Sequence, residues 1–202
     1  MTRHEYQLLL VLRQYCLQSG TFNLQSGATS SLYVNIKKIT LSSTLCNHLG
    51  HAFYQYIRNH NVHAIGGPAT GAIPLITAII HKAAQTNYHL EGFFVRPQKK
   101  LHGTQETIEG NLQPNQRVVL VDNVATTGNS LVNLALQLSA LPVEITQVLV
   151  LVDRLAGARQ LLHAHNITNY HALFTINDLQ PPTSNLQPPT SNLQPPTSNP
   201  NQ

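Results

Sequence analysis

One stretch constrains this chain more than any other: Val118-Val119-Leu120-Val121-Asp122-Asn123-Val124-Ala125-Thr126-Thr127-Gly128-Asn129-Ser130. It opens on four aliphatic residues, three of them β-branched, which read as a strand buried on both faces of a parallel sheet. An acid, Asp122, follows where the strand is expected to end. A small, hydroxyl-bearing loop then leads into Leu131, Leu134, Ala135 and Leu138, spaced as the apolar face of a helix. Strand, loop and helix in this order aim backbone N–H groups and a positive helix end at one point, which suits a phosphate. Thr126, Thr127 and Ser130 add hydroxyl donors, and Gly128 allows close backbone approach. The plain alternative is an ordinary turn between a strand and a capped helix. The unbroken sequence of aliphatic strand, acid, hydroxyl loop and helix favours phosphate binding.

The flanking chain repeats the pattern. Ala64-Ile65-Gly66 reads as a strand entering Gly67-Pro68-Ala69-Thr70-Gly71, followed by a helix from Ile73 to Ala84 and a strand from Leu90 to Arg96. After the central unit come a strand from Ile145 to Asp153, a helix from Leu155 to His165 and a strand near Tyr170 to Thr175. Alternating strands and helices predict an α/β domain: a mostly parallel sheet with helices on both faces. Residues 97–111 are polar and without apolar period, and predict a long functional loop. Upstream, residues 4–18 predict an amphipathic helix through Leu8, Leu9, Leu12, Tyr15 and Cys16, stopped at Ser19-Gly20. Short alternating runs at Phe22-Asn23-Leu24 and Ser31 to Ile36, joined by the turn Gln25-Ser26-Gly27, predict a small β-rich layer. Ser42-Ser43 is the expected cap of a helix carrying Leu45, Leu49, Phe53 and Ile57.

The chain of 202 residues is long enough for one ordinary domain. From Leu179 the heptapeptide Leu-Gln-Pro-Pro-Thr-Ser-Asn repeats in tandem. Two prolines per repeat forbid helix, and one Leu per repeat buries too little to fold. The domain is therefore expected to span 1–178, with 179–202 a disordered tail. Lys and Arg number 12 against 8 Asp and Glu, with no basic run longer than Lys37-Lys38 or Lys99-Lys100. That modest excess suits an anionic small molecule, and no nucleic acid is expected. No segment has membrane-spanning length or a leader's cleavage pattern, so a cytoplasmic protein without membrane attachment is expected. Cys16 and Cys46 show no disulfide or zinc spacing. His48/His51, His60/His63 and His163/His165 lack the acids or thiols of a protein-held metal centre.

The central stretch closely resembles the PRPP (phosphoribosyl pyrophosphate) signature of type I phosphoribosyltransferases. Phe22 to Tyr33, Gly67-Pro68-Ala69-Thr70-Gly71-Ala72-Ile73-Pro74, Phe94 to Gly110 and Val152-Asp153-Arg154 resemble, in order, the hood, pyrophosphate loop, catalytic loop and orotate-binding strand end of orotate phosphoribosyltransferases. The resemblance covers about residues 20–157. It implies the type I fold with an N-terminal hood at about 20–40, and formation of orotidine 5′-phosphate and pyrophosphate from orotate and PRPP in pyrimidine biosynthesis. It assigns the 5′-phosphate to the loop of Ala125, Thr126, Thr127, Gly128 and Asn129, counts Val124 and Ser130 among the residues that bind PRPP, and gives ribose hydroxyls to Asp122 and Asn123. Pyrophosphate falls to Gly67, Thr70, Gly71, Arg96, Lys99, Lys100 and His102, the last two counted as catalytic with Asp122 and Asn123. Orotate falls to Gln25, Ser26, Gly27, Tyr33, Thr126 and Arg154. Mg²⁺ is implied mainly through substrate oxygens, with Asp122 a candidate ligand, as is a homodimer whose catalytic loop serves the neighbouring subunit.

Three residues depart from that pattern: Gln25 and Pro97 where lysines are frequent, and Asn123 where a second acid is usual. Each removes a charge, and the loss of one preorganised electrostatic group costs on the order of 10²–10³ in turnover. A slow enzyme is one reading, in which Asn123→Asp would raise turnover. A non-catalytic PRPP-binding regulator on the same fold is the alternative, and transfer to another base a weaker third.

Overall fold

A computed structural model of the chain describes residues 1–23, 29–96 and 107–180. Helix α1 (Arg3–Val11) begins in a reciprocal cap: the Glu5 N–H donates to Thr2 Oγ1, and the Thr2 N–H donates to the Glu5 carboxylate. Its last turn widens to π geometry over Leu12–Cys16, and strand β1 (Leu17–Asn23) follows at once. The helix thus ends before residue 18, and Ser19-Gly20 is not its stop. Those residues lie inside β1, which pairs antiparallel with β2 (Thr29–Val34) from Leu17↔Val34 to Asn23↔Thr29. A Cβ on Gly20 would stand 3.1 Å from the Phe22 ring, so its small size serves this hairpin's irregular stretch.

Two short helices were not expected from the sequence: α2 (Lys37–Thr40) here, and one at the end of the domain. α3 (Ser43–Ile57) starts where Ser42 predicts it. Ser42 contributes its carbonyl, which accepts from the Cys46 N–H at 2.8 Å, while its hydroxyl makes no capping bond. The remaining elements are β3 (Ala64–Pro68), α4 (Ile73–Ala84), β4 (Glu91–Val95), β5 (Ile108–Gly110), β6 (Arg117–Ala125), α5 (Asn129–Leu138), β7 (Glu144–Asp153), α6 (Ala158–Ala164), β8 (Tyr170–Thr175) and α7 (Ile176–Leu179). β5 corrects the expectation of a loop throughout 97–111: Ile108, Glu109 and Gly110 pair antiparallel with Val95, Phe94 and Phe93. β6 also runs past Asp122, pairing with β7 as far as Ala125↔Asp153. α6 starts later than Leu155, because Leu155 and Gly157 have positive φ of 58° and 101° and turn the chain before it.

The main sheet has the order β5-β4-β3-β6-β7-β8, and all its neighbours except β4 and β5 are parallel. Strand order reverses between β3 and β6, so their following helices take opposite faces. Alternation along β6 shows the two cores. Val119 and Val121 pack with Leu75 and Ile79 of α4, while Val118 and Leu120 pack with Leu131, Leu134 and Leu162 of α5 and α6. All four valine and leucine side chains of that run are fully buried, as a two-sided strand requires. Leu179 is also fully buried against the first core, so the packed chain takes in the first residue of the heptapeptide repeat rather than stopping at 178. Among the described residues no helix is long and apolar enough to cross a membrane.

β3 lies against β4 and β6 with Gly66 level with Phe93 and Leu120. A Cβ on Gly66 would fall 2.1 Å from the Phe93 ring, which is itself buried. Gly66→Ala should therefore destabilise the fold by roughly 1–3 kcal/mol through overpacking. The shift of the urea midpoint measures this, and Phe93→Leu in the same chain should recover part of it.

Candidate active site

The carboxyl ends of β3 and β6 flank the strand-order reversal, where an open α/β sheet leaves a crevice between diverging loops. Asp122 stands there, nearly buried. One carboxylate oxygen accepts the Asn123 N–H at 2.7 Å and the other the Ser130 hydroxyl at 3.4 Å. Burial pushes its pKa from the ordinary 3.8 up to about 6, against the downward pull of those two donors. A carboxylate poised in this range is characteristic of functional positions.

The entry to α5 argues against a plain capped turn. Its N-cap is Gly128, with φ 87° and no side chain to cap the helix. The first-turn N–H groups therefore have no capping side chain, and the positive end of a ten-residue helix faces the loop Ala125–Gly128. Gly128 is required by that left-handed backbone and by packing, since a Cβ would stand 3.0 Å from the Ala158 Cα. Its absence of side chain thus fits it to α6 as well as to a ligand. Thr126 and Thr127 are half-buried beside it, Asn129 and Ser130 are exposed at the helix start, and Val124 packs against the first core.

Across the crevice, Gly67–Gly71 leads from β3 to α4. Gly67 has no room for a side chain, because a Cβ would lie 2.3 Å from the Val121 carbonyl oxygen. Thr70 and Gly71 are exposed, and the Ala69–Thr70 peptide is cis. The Ala69 N–H donates to the Val95 carbonyl at 2.8 Å, tying this loop to the end of β4. Asn123 Nδ2 donates to the Gly71 carbonyl at 2.6 Å, so the two loops are joined by a side chain of β6.

Two arginines border the same edge of the sheet. Arg96, after β4, pairs with Glu109 of β5 at 2.5 Å and lies over the Phe94 ring. Its N–H donates to the Thr107 carbonyl at 2.8 Å, closing the stem of the segment between them. Arg154, after β7, donates through Nη2 to the Leu32 carbonyl of β2 at 2.9 Å and through its backbone N–H to Ala125. It thereby fastens the N-terminal hairpin over the sheet's carboxyl end. Tyr33, on that hairpin, is 37% exposed with its ring 5.4 Å from that of Phe22. Gln25, Ser26, Gly27, Lys99, Lys100 and His102 lie outside the described residues. Glu109 and the Leu32 carbonyl were missed from the sequence. Glu109 could have been found as the acid facing Arg96 across the loop, whereas a backbone carbonyl leaves no sequence signal.

Among the described residues no three His, Cys, Asp or Glu side chains gather as a metal site. A cavity of about 360 Å³ at the opposite end of the sheet is lined by Leu136, Ile145, Ile167, His165 and neighbouring residues, with no acid.

Residues 35–170 match the phosphoribosyl transferase domain family. The orotate phosphoribosyltransferase of Tropheryma whipplei (strain Twist) is 34% identical over 168 residues, 83% of this chain and 78% of that protein. The crystal structure of Mycobacterium tuberculosis H37Rv orotate phosphoribosyltransferase in complex with Fe(III) dicitrate is similar with a TM-score of 0.74 and 29% identity, covering 87% of this chain and 98% of that one. The same enzyme in complex with 5-phospho-alpha-D-ribosyl 1-diphosphate (PRPP) is similar with a TM-score of 0.70 and 25% identity, over 87% and 98% of the two chains. The fold is that of the type I phosphoribosyltransferases.

The raised pKa of Asp122 makes a stability prediction with a definite sign. The folded chain holds this proton more tightly than the unfolded chain. Its contribution is therefore full below about pH 4, is lost as pH rises toward 6, and stays lost above. Asp122→Asn should be more stable than the parent at pH 7, by on the order of 1–3 kcal/mol, and show no such gain at pH 4. Urea unfolding at the two pH values measures the difference.

Proposed function

This chain belongs to the orotate phosphoribosyltransferase family, and we propose that it joins orotate to the phosphoribosyl group of PRPP at the β3/β6 crevice, releasing pyrophosphate, in pyrimidine biosynthesis. The observation that carries this reading is a buried carboxylate, Asp122, set beside a helix entry that no side chain caps. In the reaction a pyrimidine nitrogen bonds to the anomeric carbon as the bond to pyrophosphate breaks. Positive charge grows on the sugar and negative charge on the leaving group, so the protein acts by positioning and by fixed charges.

The residue roles are those the family resemblance implies, and the positions of the described groups support them. The N–H groups and hydroxyls of Ala125 to Ser130 hold the 5′-phosphate. Asp122, ionised, accepts hydrogen bonds from ribose hydroxyls. Gly67 to Gly71 lies opposite and presents backbone N–H groups to pyrophosphate. Arg96, with Lys99, Lys100 and His102, balances the leaving group's charge; Glu109 pairs with the Arg96 guanidinium. Arg154 holds orotate against the hood residues Gln25, Ser26, Gly27 and Tyr33. Mg²⁺, when bound, supplies positive charge to the pyrophosphate oxygens. The donor set suits an ion carried chiefly by substrate, since the oxygens of Asp122 already accept two donors. The reading includes a cytoplasmic homodimer in which the segment between Arg96 and Thr107 serves the neighbouring subunit.

Incubating the full chain with orotate, PRPP and Mg²⁺ should consume orotate and yield orotidine 5′-phosphate, followed by the loss of orotate absorbance. Binding of PRPP by calorimetry without any product would instead indicate the regulator. The pH profile gives a second check. Because Asp122 must be ionised to accept the ribose hydroxyls, kcat/KM should fall as pH drops through about 6, approaching tenfold per pH unit below it.

A further inference from the structure

Asn123 stands where the resemblance leads to the expectation of a second acid, and its surroundings give it a task that an ionised acid cannot perform. Successive side chains of a strand point to opposite faces. Asp122 points toward α5, where Ser130 donates to it, so Asn123 points toward α4 and meets the loop that precedes that helix. There its Nδ2 donates to the Gly71 carbonyl at 2.6 Å. A carbonyl only accepts, so the group facing it must be the amide nitrogen. The next N–H in the chain, that of Ala72, donates to the Pro68 carbonyl at 3.2 Å. The Gly71–Ala72 peptide is therefore held at both its oxygen and its nitrogen. The Oδ1 of Asn123 is buried with no partner among the described residues, so the donor end is what ties the residue down.

Resting on the reading of Gly67–Gly71 as the pyrophosphate loop, we propose that Asn123 is a positioning residue: its amide fixes the Gly71–Ala72 peptide and so sets the loop's N–H groups for pyrophosphate, joining that loop to the ribose-binding Asp122. An ionised carboxylate at 123 has no hydrogen to donate and sets an oxygen against the Gly71 oxygen. The residue is then a substitution with a matched loop rather than a missing charge, and the sequence-based expectation that Asn123→Asp speeds the enzyme is reversed.

The test compares the full chain with Asn123→Asp and Asn123→Ala, each first checked for a parental thermal transition. Without ligand, amide hydrogen exchange over 69–73 should quicken about tenfold in both variants, the amount expected from losing one hydrogen bond. Exchange over Val118 to Leu120 should not change. With Mg²⁺ present, pyrophosphate should bind roughly tenfold more weakly to both variants, while ribose 5-phosphate binds within about twofold of the parent. KM for PRPP should rise more than kcat falls. Unchanged exchange at 69–73 overturns the tether whatever the enzyme's activity. So does Asn123→Asp binding pyrophosphate as tightly as the parent, or turning over faster. Should the parent make no orotidine 5′-phosphate, the functional reading fails by itself and the exchange measurement still decides the tether.

Discussion

A strand shows alternate side chains to alternate faces, and the end of β6 turns that rule into a binding crevice. Upstream, alternation divides Val119 and Val121 from Val118 and Leu120, building two cores on one strand. Past the sheet's dense centre the same alternation sends Asp122 to the loop before α5 and Asn123 to the loop before α4. Because strand order reverses between β3 and β6, those loops lie on opposite faces and diverge. Two adjacent residues thus reach both halves of the site. α5 and α6, by contrast, follow neighbouring strands in order and share one face.

Several features at this point are unfavourable to a fold taken by itself. Among the described residues, a nearly buried carboxylate accepts two hydrogen bonds, a helix begins without a capping side chain, and an amide oxygen is buried without a partner. Each would be selected against in a purely structural turn, since buried or uncapped polar groups destabilise a fold. An anionic sugar phosphate would satisfy the helix end, and its hydroxyls would satisfy the carboxylate. The aliphatic run of β6, buried on both faces, provides the stability against which these local costs are set.

Much of the fold was legible in the sequence. α4 and β8 begin and end where the apolar pattern puts them, and β7 differs from its expected span by one residue. The N-terminal region was read less well. Residues 17 and 18 were read as helix and Ser19-Gly20 as its stop, yet all four lie in β1 because pairing with β2 satisfies their backbone, and such pairing is set by residues far along the chain. β5 escaped for the same reason: three half-buried or exposed residues become a strand only because the edge of β4 is there to receive them. In the site, the acid, the glycines and the hydroxyl loop were all visible by type and order. Gly128 was singled out for backbone approach to a ligand; that its packing on Ala158 of α6 requires glycine there could not be foreseen.

The sequence by itself determined the class of fold and the kind of ligand, because periodicity and the order strand, acid, small loop, helix depend on local backbone physics. It also determined the family, through four motifs in register. Tertiary structure alone decided which groups meet. Arg96 with Glu109, Arg154 with the Leu32 carbonyl and Asn123 with the Gly71 carbonyl join residues from separate elements, two of them through backbone oxygens. Every residue has such an oxygen, so only the folded chain can say where one points.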